Sequence, residues 1–261
     1  MAIHHLGILD DLARDLKVSS NGLENARRLA KGYEDLVVVL IEPTNKAEEV
    51  HYDEMLAASE TLLCVNETLQ FASGGQRNIE NTIILDIRAF RSDSIRTSQI
   101  SNDRTRDDEL AYGNFERIMS LLRPRVVVAC QCATTEANNQ FVQGLCSSIK
   151  RAGDICFQQL PNGHQCLLVK SFHPMGYKRS KDCALKRVML EYLFDATFII
   201  ALNALAGDRI SGVGLKNLQN CAQDGPAPIF SPEEIYISYQ WMSGRNAASG
   251  KLLKHLQYIG N

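Results

Sequence analysis

Leu36-Val37-Val38-Val39-Leu40-Ile41-Glu42-Pro43 is an unbroken apolar run closed by an acid and a proline. A continuous apolar, largely β-branched run suits a strand covered on both faces, which is the habit of parallel sheets. Pro43 then holds Glu42 extended and stops the strand. Three further runs have the same character: Thr82 to Ile87, Arg125 to Gln131 and Cys166 to Ser171. Helix candidates lie at Asn21 to Lys31, Tyr52 to Gln70, Asp107 to Leu122 and Thr135 to Arg151. The third opens on Asp107, Asp108 and Glu109, negative charge at the positive end of its dipole. The order β-α-β-α-β-α-β predicts an α/β protein, a three-layer α/β/α sandwich with a central, mostly parallel four-stranded sheet.

The rest of the chain extends this plan without adding a second domain. Ser92 to Arg106 is polar and aperiodic and reads as a long loop of the kind that is often functional. Tyr177 to Leu205 reads as a helix, Gly207 to Pro232 as Gly-, Asn- and Pro-rich connecting chain, and Glu233 to Ile259 as one or two packing helices. With no internal repeat and no linker, residues 1–261 read as one domain, with a core of about 30–205 and an extension of 206–261.

Composition narrows the function classes. The 261 residues hold 28 Lys and Arg against 30 Asp and Glu, a formal charge of −2, and 45% are hydrophobic. A chain of this size buries about 70 to 75% of its unfolded surface and needs no disulfide or metal staple. Collagen-like, disordered and coiled-coil classes are excluded. The apolar stretches Leu36 to Ile41 and Ala196 to Leu205 are shorter than the ~20 residues of a membrane span. The start, Met-Ala-Ile-His-His, lacks a signal-peptide pattern, so an intracellular location, nucleus or cytoplasm, and no membrane association are expected.

The eight cysteines include no Cys-x-x-Cys pair, and Cys130 and Cys132 have no matching second pair, so reduced thiols and no metal or other cofactor are expected. Charge is uneven: residues 1–150 carry an acidic excess and residues 151–261 a basic one. Lys170, Lys178, Arg179, Lys181, Lys186 and Arg187 stand against only Asp182. Such a run can meet phosphates, or it can be the solvated start of a helix.

In open α/β sheets ligands bind outside the carboxyl ends of the strands. Those ends read Glu42-Pro43-Thr44-Asn45, Asp86-Ile87-Arg88, Gln131-Cys132-Ala133 and Phe172-His173-Pro174-Met175. Two carboxylates, an arginine and a histidine therefore converge on one rim. Glu42 there could orient or activate a water, or cap the following helix. His173 also precedes a proline, which aims its ring, and its pairing with Glu42 across the rim makes it a catalytic candidate.

In their order these residues resemble the uracil-DNA glycosylase superfamily, over roughly residues 30 to 190. Glu42-Pro43 resembles the Asp-Pro of that family's first motif, Asp86 falls where its base-reading Asn stands, and His173-Pro174-Met175 resembles its His-Pro-Ser. The resemblance implies a DNA glycosylase, a hydrolase of DNA repair acting on a flipped-out base. Glu42 would position a water at C1′ and stabilise the oxocarbenium-like sugar, and His173 would hydrogen-bond the departing base. Pro43, Asn45, Asp86 and Phe90 would contact the base, although Phe90 also suits core packing. Lys178, Arg179 and Lys181 would grip DNA phosphates, and Met175 or Tyr177 would fill the gap in the stack.

The chain departs from the family at chemically specific places. Leu40-Ile41 replaces Gly-Gln, and Thr44 replaces an aromatic. An ionised Asp86 offers acceptors only and repels uracil O4, so it suits an exocyclic amine; a protonated Asp86 could still donate. Two alternatives stay beside the enzyme reading: a binding module for nucleic acid or protein on the same fold, and an unrelated α/β small-molecule hydrolase. No Gly-rich phosphate loop or Gly-x-Ser-x-Gly elbow is present.

Overall fold

In the computed structural model the described residues are 4–44, 47–91, 102–130, 139–175 and 184–206. The elements are α1 (His5–Asp15), α2 (Ser20–Leu29), β1 (Tyr33–Leu40), α3 (Tyr52–Ala58), α4 (Glu60–Ala72), β2 (Thr82–Asp86), α5 (Asn102–Leu122), β3 (Val126–Ala129), α6 (Gln140–Gly144), β4 (Ile155–Gln159), β5 (Gln165–Lys170) and α7 (Ala184–Ala206). They build a mixed α/β fold around a sheet ordered β2-β1-β3-β5-β4. β2, β1, β3 and β5 run parallel in register, with Val38 opposite both Ile84 and Val128, and Val128 opposite Val169.

The apolar runs alternate between two cores, as strand geometry requires. Leu36, Val38, Leu40, Ile84, Val126, Val128 and Val169 face a cluster with α3, α4 and α7. Val37, Val39, Ile83, Leu85, Val127, Ala129 and Leu168 face the opposite cluster, with α1, α5 and α6. Both faces of the sheet are thus covered, which explains why the central, buried stretches of these strands are apolar.

The sheet has five strands rather than the expected four. β4 is an antiparallel edge strand paired with β5, from Ile155 opposite Val169 to Gln159 opposite Gln165. Its residues are mostly exposed, Phe157 among them, so it lacks the buried apolar run that marks the other four. Its sequence signal lies in the turn Leu160-Pro161-Asn162-Gly163, where the Gly163 N–H donates to Leu160 C=O at 2.9 Å and Gly163 takes φ +84°. A turn of this kind that ends in a left-handed glycine is a hairpin connection.

Other expectations are corrected too. The predicted helix Tyr52 to Gln70 is broken at extended Ser59, whose hydroxyl caps α4 through Leu62 N–H. Of the predicted helix Thr135 to Arg151, residues 135–138 lie outside the described residues; the rest is the short α6 and a 3-10 turn, Ile149–Arg151. α1 was not foreseen. Residues 102–106, expected in the Ser92 to Arg106 loop, belong to α5, so Asp107, Asp108 and Glu109 lie beyond its first turn.

α7 is long and apolar enough over Arg187–Ala206 to span a membrane by length and composition, against the shorter Ala196 to Leu205 run anticipated, but 67% of it is buried in the fold. Asp195 and Thr197 on it are wholly buried. Asp195 accepts from Thr68 Oγ1 of α4 at 2.7 Å, and the Thr197 hydroxyl meets Ser171 Oγ at 2.8 Å.

Gly32 admits β1 beside β2. Its φ is +143°, and a Cβ there would stand 2.8 Å from Asn81 C and Thr82 N. Tyr33 N–H donates to Asn81 C=O at 3.0 Å, so this backbone has no room to retreat. Gly32→Ala is expected to destabilise the protein by about 2 kcal/mol or more, read from urea unfolding midpoints. A loss below about 0.5 kcal/mol would mean that the strand entry relaxes freely.

Candidate functional site

Parallel pairing puts the carboxyl ends of β1, β2, β3 and β5 on one edge of the sheet. Along this rim Asp86, Glu42 and His173 follow in that order, with the β3 end between the last two. Neighbouring strands lie ~4.8 Å apart, so the ends of β1 and β5, after which Glu42 and His173 follow, are separated by about 10 Å. The β1–β2 ladder continues past both strands, since Ile87 N–H donates to Leu40 C=O at 3.0 Å and Arg88 N–H to Ile41 C=O at 2.9 Å. Glu42, Asp86 and Arg88 are therefore held on a hydrogen-bonded backbone.

Arg88 organises this end of the rim. Its side chain is 7% exposed and binds Asp108 of α5 bidentately, Nε to Oδ1 at 2.5 Å and Nη2 to Oδ2 at 3.0 Å. Nη2 also donates to Tyr112 Oη at 3.0 Å. Burial works against the guanidinium charge, but the Asp108 hydrogen bonds and neighbouring Tyr112 and Glu42 outweigh it and hold its pKa above the ordinary value. The sequence places Arg88 at the rim without naming its partners. Asp108 and Tyr112, spaced i and i+4 on α5, were the available signal.

Glu42 is half-buried, its carboxylate 3.7 Å from Arg88 Nη1 and 3.7 Å from Arg91 Nη2. It does not cap the next helix, which starts at Tyr52 after His51. The two guanidinium groups direct the carboxylate from either side.

Asp86 is the most perturbed group of the rim. Burial first, and the Glu42 charge second, push its carboxyl up to about 8. It is therefore protonated at neutral pH, and it can donate one hydrogen bond and accept others, as an amide does. Its Oδ1 is buried without a hydrogen-bond partner among the described residues.

His173 is half-buried, and its Nδ1 accepts from Met175 N–H at 3.3 Å. That bond leaves the proton of the neutral ring on Nε2. Met175 is half-buried at the following turn.

Pro43, Asp86 and Phe90 line a cavity of about 30 Å³ with Asn25, Glu48, Met55 and Ala89; Glu42 and His173 lie outside that lining. The volume suits one or two waters, or an amino group, rather than a whole ring. Phe90 is 2% exposed and packs in the core with Tyr112 and Phe115, so it forms the cavity wall instead of an open stacking platform.

Asn25 was not foreseen, although a signal existed: with Gly22 and Leu29 it sits on the buried stripe of α2, where a polar side chain is unusual. Asn45, Tyr177, Lys178, Arg179 and Lys181 lie outside the described residues. Lys170, counted in the basic run, is unavailable to phosphates: it is 1% exposed, and its ammonium is spent on the carbonyls of Gly144 and Cys146.

Cys64, Cys130 and Cys166 are buried, Cys146 is half-buried and Cys156 exposed, all as free thiols. Among the described residues no group of three or more His, Cys, Asp or Glu is placed to hold a metal ion. Comparison of the chain with family models and with curated proteins gave no match.

Proposed function

We propose that the protein is a divergent DNA glycosylase of the uracil-DNA glycosylase type, a three-layer α/β/α sandwich that hydrolyses the N-glycosidic bond of a flipped-out, damaged or deaminated base inside the cell. The observation that carries the reading is the rim itself, where parallel strands bring an ionisable acid, a neutral acid and an oriented imidazole to one edge. Glu42 and His173 carry the reaction. They stand two strands apart on the same edge of the sheet, so that a nucleoside seated across the β3 end meets both. Glu42, steered by Arg88 and Arg91, positions a water near C1′ and stabilises positive charge as it grows on the sugar. His173 turns its Nε2–H to the departing base as negative charge builds there, and such preoriented donors are often the largest catalytic contribution. Asp86, protonated, takes the place of the family's Asn amide in reading the base. Met175 or Tyr177 fills the vacated stack, and Lys178, Arg179 and Lys181 hold phosphates.

The test is abasic-site formation on oligonucleotides carrying deaminated or damaged bases. Glu42→Gln and His173→Ala are each expected to lower the rate about 10²- to 10³-fold with the fold preserved. Unchanged rates in both variants, or no abasic sites with the native protein on any lesion, would remove the enzyme reading.

A second reading is favoured by the Glu42 ion pairs, because a carboxylate held 3.7 Å from two guanidinium groups also serves as a structural anchor. The protein is then a binding module. DNA association would fall with salt and in Lys178→Ala or Arg179→Ala, without base release.

A further inference from the structure

The cavity beside Asp86 carries information that the rim alone does not. Asn25 is 2% exposed, and its Nδ2 donates to Ala47 C=O at 2.7 Å and to Val50 C=O at 3.0 Å. Both amide protons are thereby used, which fixes the side-chain orientation. Its Oδ1 is left as a buried acceptor with no partner among the described residues, as is Asp86 Oδ1. Glu48 is the third polar side chain of the lining; the remainder, including Leu9, Leu29, Met55 and Phe90, is largely apolar. A buried acceptor without a donor is destabilising, and a guest that supplies N–H groups removes that penalty.

We infer that this cavity selects a nucleobase bearing an exocyclic amine over one bearing a carbonyl at the same position, with Asn25 as the specificity-determining residue. The inference rests on the base-binding reading above and narrows its substrate class to damaged bases that keep an exocyclic amine, so deaminated bases fall outside it. An amino group fits the available volume, while the ring stays at the rim beside Pro43 and Ala89. One N–H goes to Asn25 Oδ1 and the other to the Asp86 carbonyl oxygen. The Asp86 hydroxyl donates to the adjacent unprotonated ring nitrogen, the pattern that cytosine and adenine present. Uracil instead sets its O4 against the Asn25 carbonyl, acceptor against acceptor. Asp86 alone does not discriminate, because a neutral carboxyl matches either edge.

The test is calorimetric or ligand-observed NMR titration of the full chain with free cytosine, uracil and N4,N4-dimethylcytosine at pH 7. Cytosine is expected to bind at least about tenfold tighter than uracil. The dimethyl compound, which lacks both N–H groups, is expected to bind no better than uracil. Asn25→Ala should narrow the preference to within about threefold. Should that variant fail to fold, the dimethyl compound supplies the same comparison on the native protein.

Equal or tighter binding of uracil overturns the inference, and so does undetectable cytosine binding at millimolar concentration. The glycosylase reading fails separately. Uracil release from DNA without a cytosine preference keeps that reading and removes this one, whereas cytosine preference without any base release does the reverse.

Discussion

Asp86→Asn is expected to stabilise the protein by roughly 4 kcal/mol at pH 7, and the gain should disappear near pH 3.5. In the unfolded chain Asp86 ionises near its usual 3.8, whereas in the fold it keeps its proton up to about 8, chiefly through burial and then through Glu42. Between these values the folded state binds the extra proton, so stability falls as pH rises across that interval. Above about 8 both states are ionised and the slope ends. Each pH unit inside the interval is worth about 1.4 kcal/mol, which gives the size of the effect at pH 7. Asn has nearly the same shape and no charge to bury, so it escapes the whole dependence. Urea unfolding of both proteins at pH 3.5, 5, 7 and 8.5 measures the difference directly. Parallel curves for the two proteins across this range would mean that Asp86 is ionised in the fold, and the amide-like role given to it would go.

Arg88→Met is expected to cost about 3 to 5 kcal/mol, because removal of one member of a buried ion pair strands the other. Asp108 is only 19% exposed in its side chain and would lose both of its Arg88 hydrogen bonds. Tyr112 Oη would lose the Nη2 donor as well. Glu42 would keep Arg91 at 3.7 Å but lose the guanidinium on its other side. A shift in the urea midpoint corresponding to less than about 1 kcal/mol would place Arg88–Asp108 among ordinary exposed pairs. Arg88→Met should also lower any base-release rate, since the direction of the Glu42 carboxylate depends on that contact.

Both effects depend on contacts that the residues at the strand ends do not reveal on their own. Glu42, Asp86, Arg88 and His173 could be assigned to strand ends because each follows an apolar run and two of them precede proline. The sequence marks Asp86 as the informative position and leaves its protonation open between two chemistries. Nothing local resolves that choice. It follows from burial against a helix sixty residues earlier in the chain and from a carboxylate on the neighbouring strand. Phe90 was open between stacking and packing for the same reason, and α1 and α5 decide for packing by closing over it. β4 escaped because an exposed edge strand has no core to imprint a pattern on its residues, although the Pro-Asn-Gly turn beside it was legible.

The four parallel strands and the chemistry waiting at their ends are written in the residues alone, since a stretch buried on both faces must be apolar and must stop where polar groups reach water. The state of those groups is set by the folded arrangement. Arg88 is charged and committed to Asp108, Asp86 is neutral, and Asn25 is an acceptor with its donors already used. Each of these depends on desolvation and on partners about twenty or more residues away, and such electrostatic contacts leave no periodic trace along the chain.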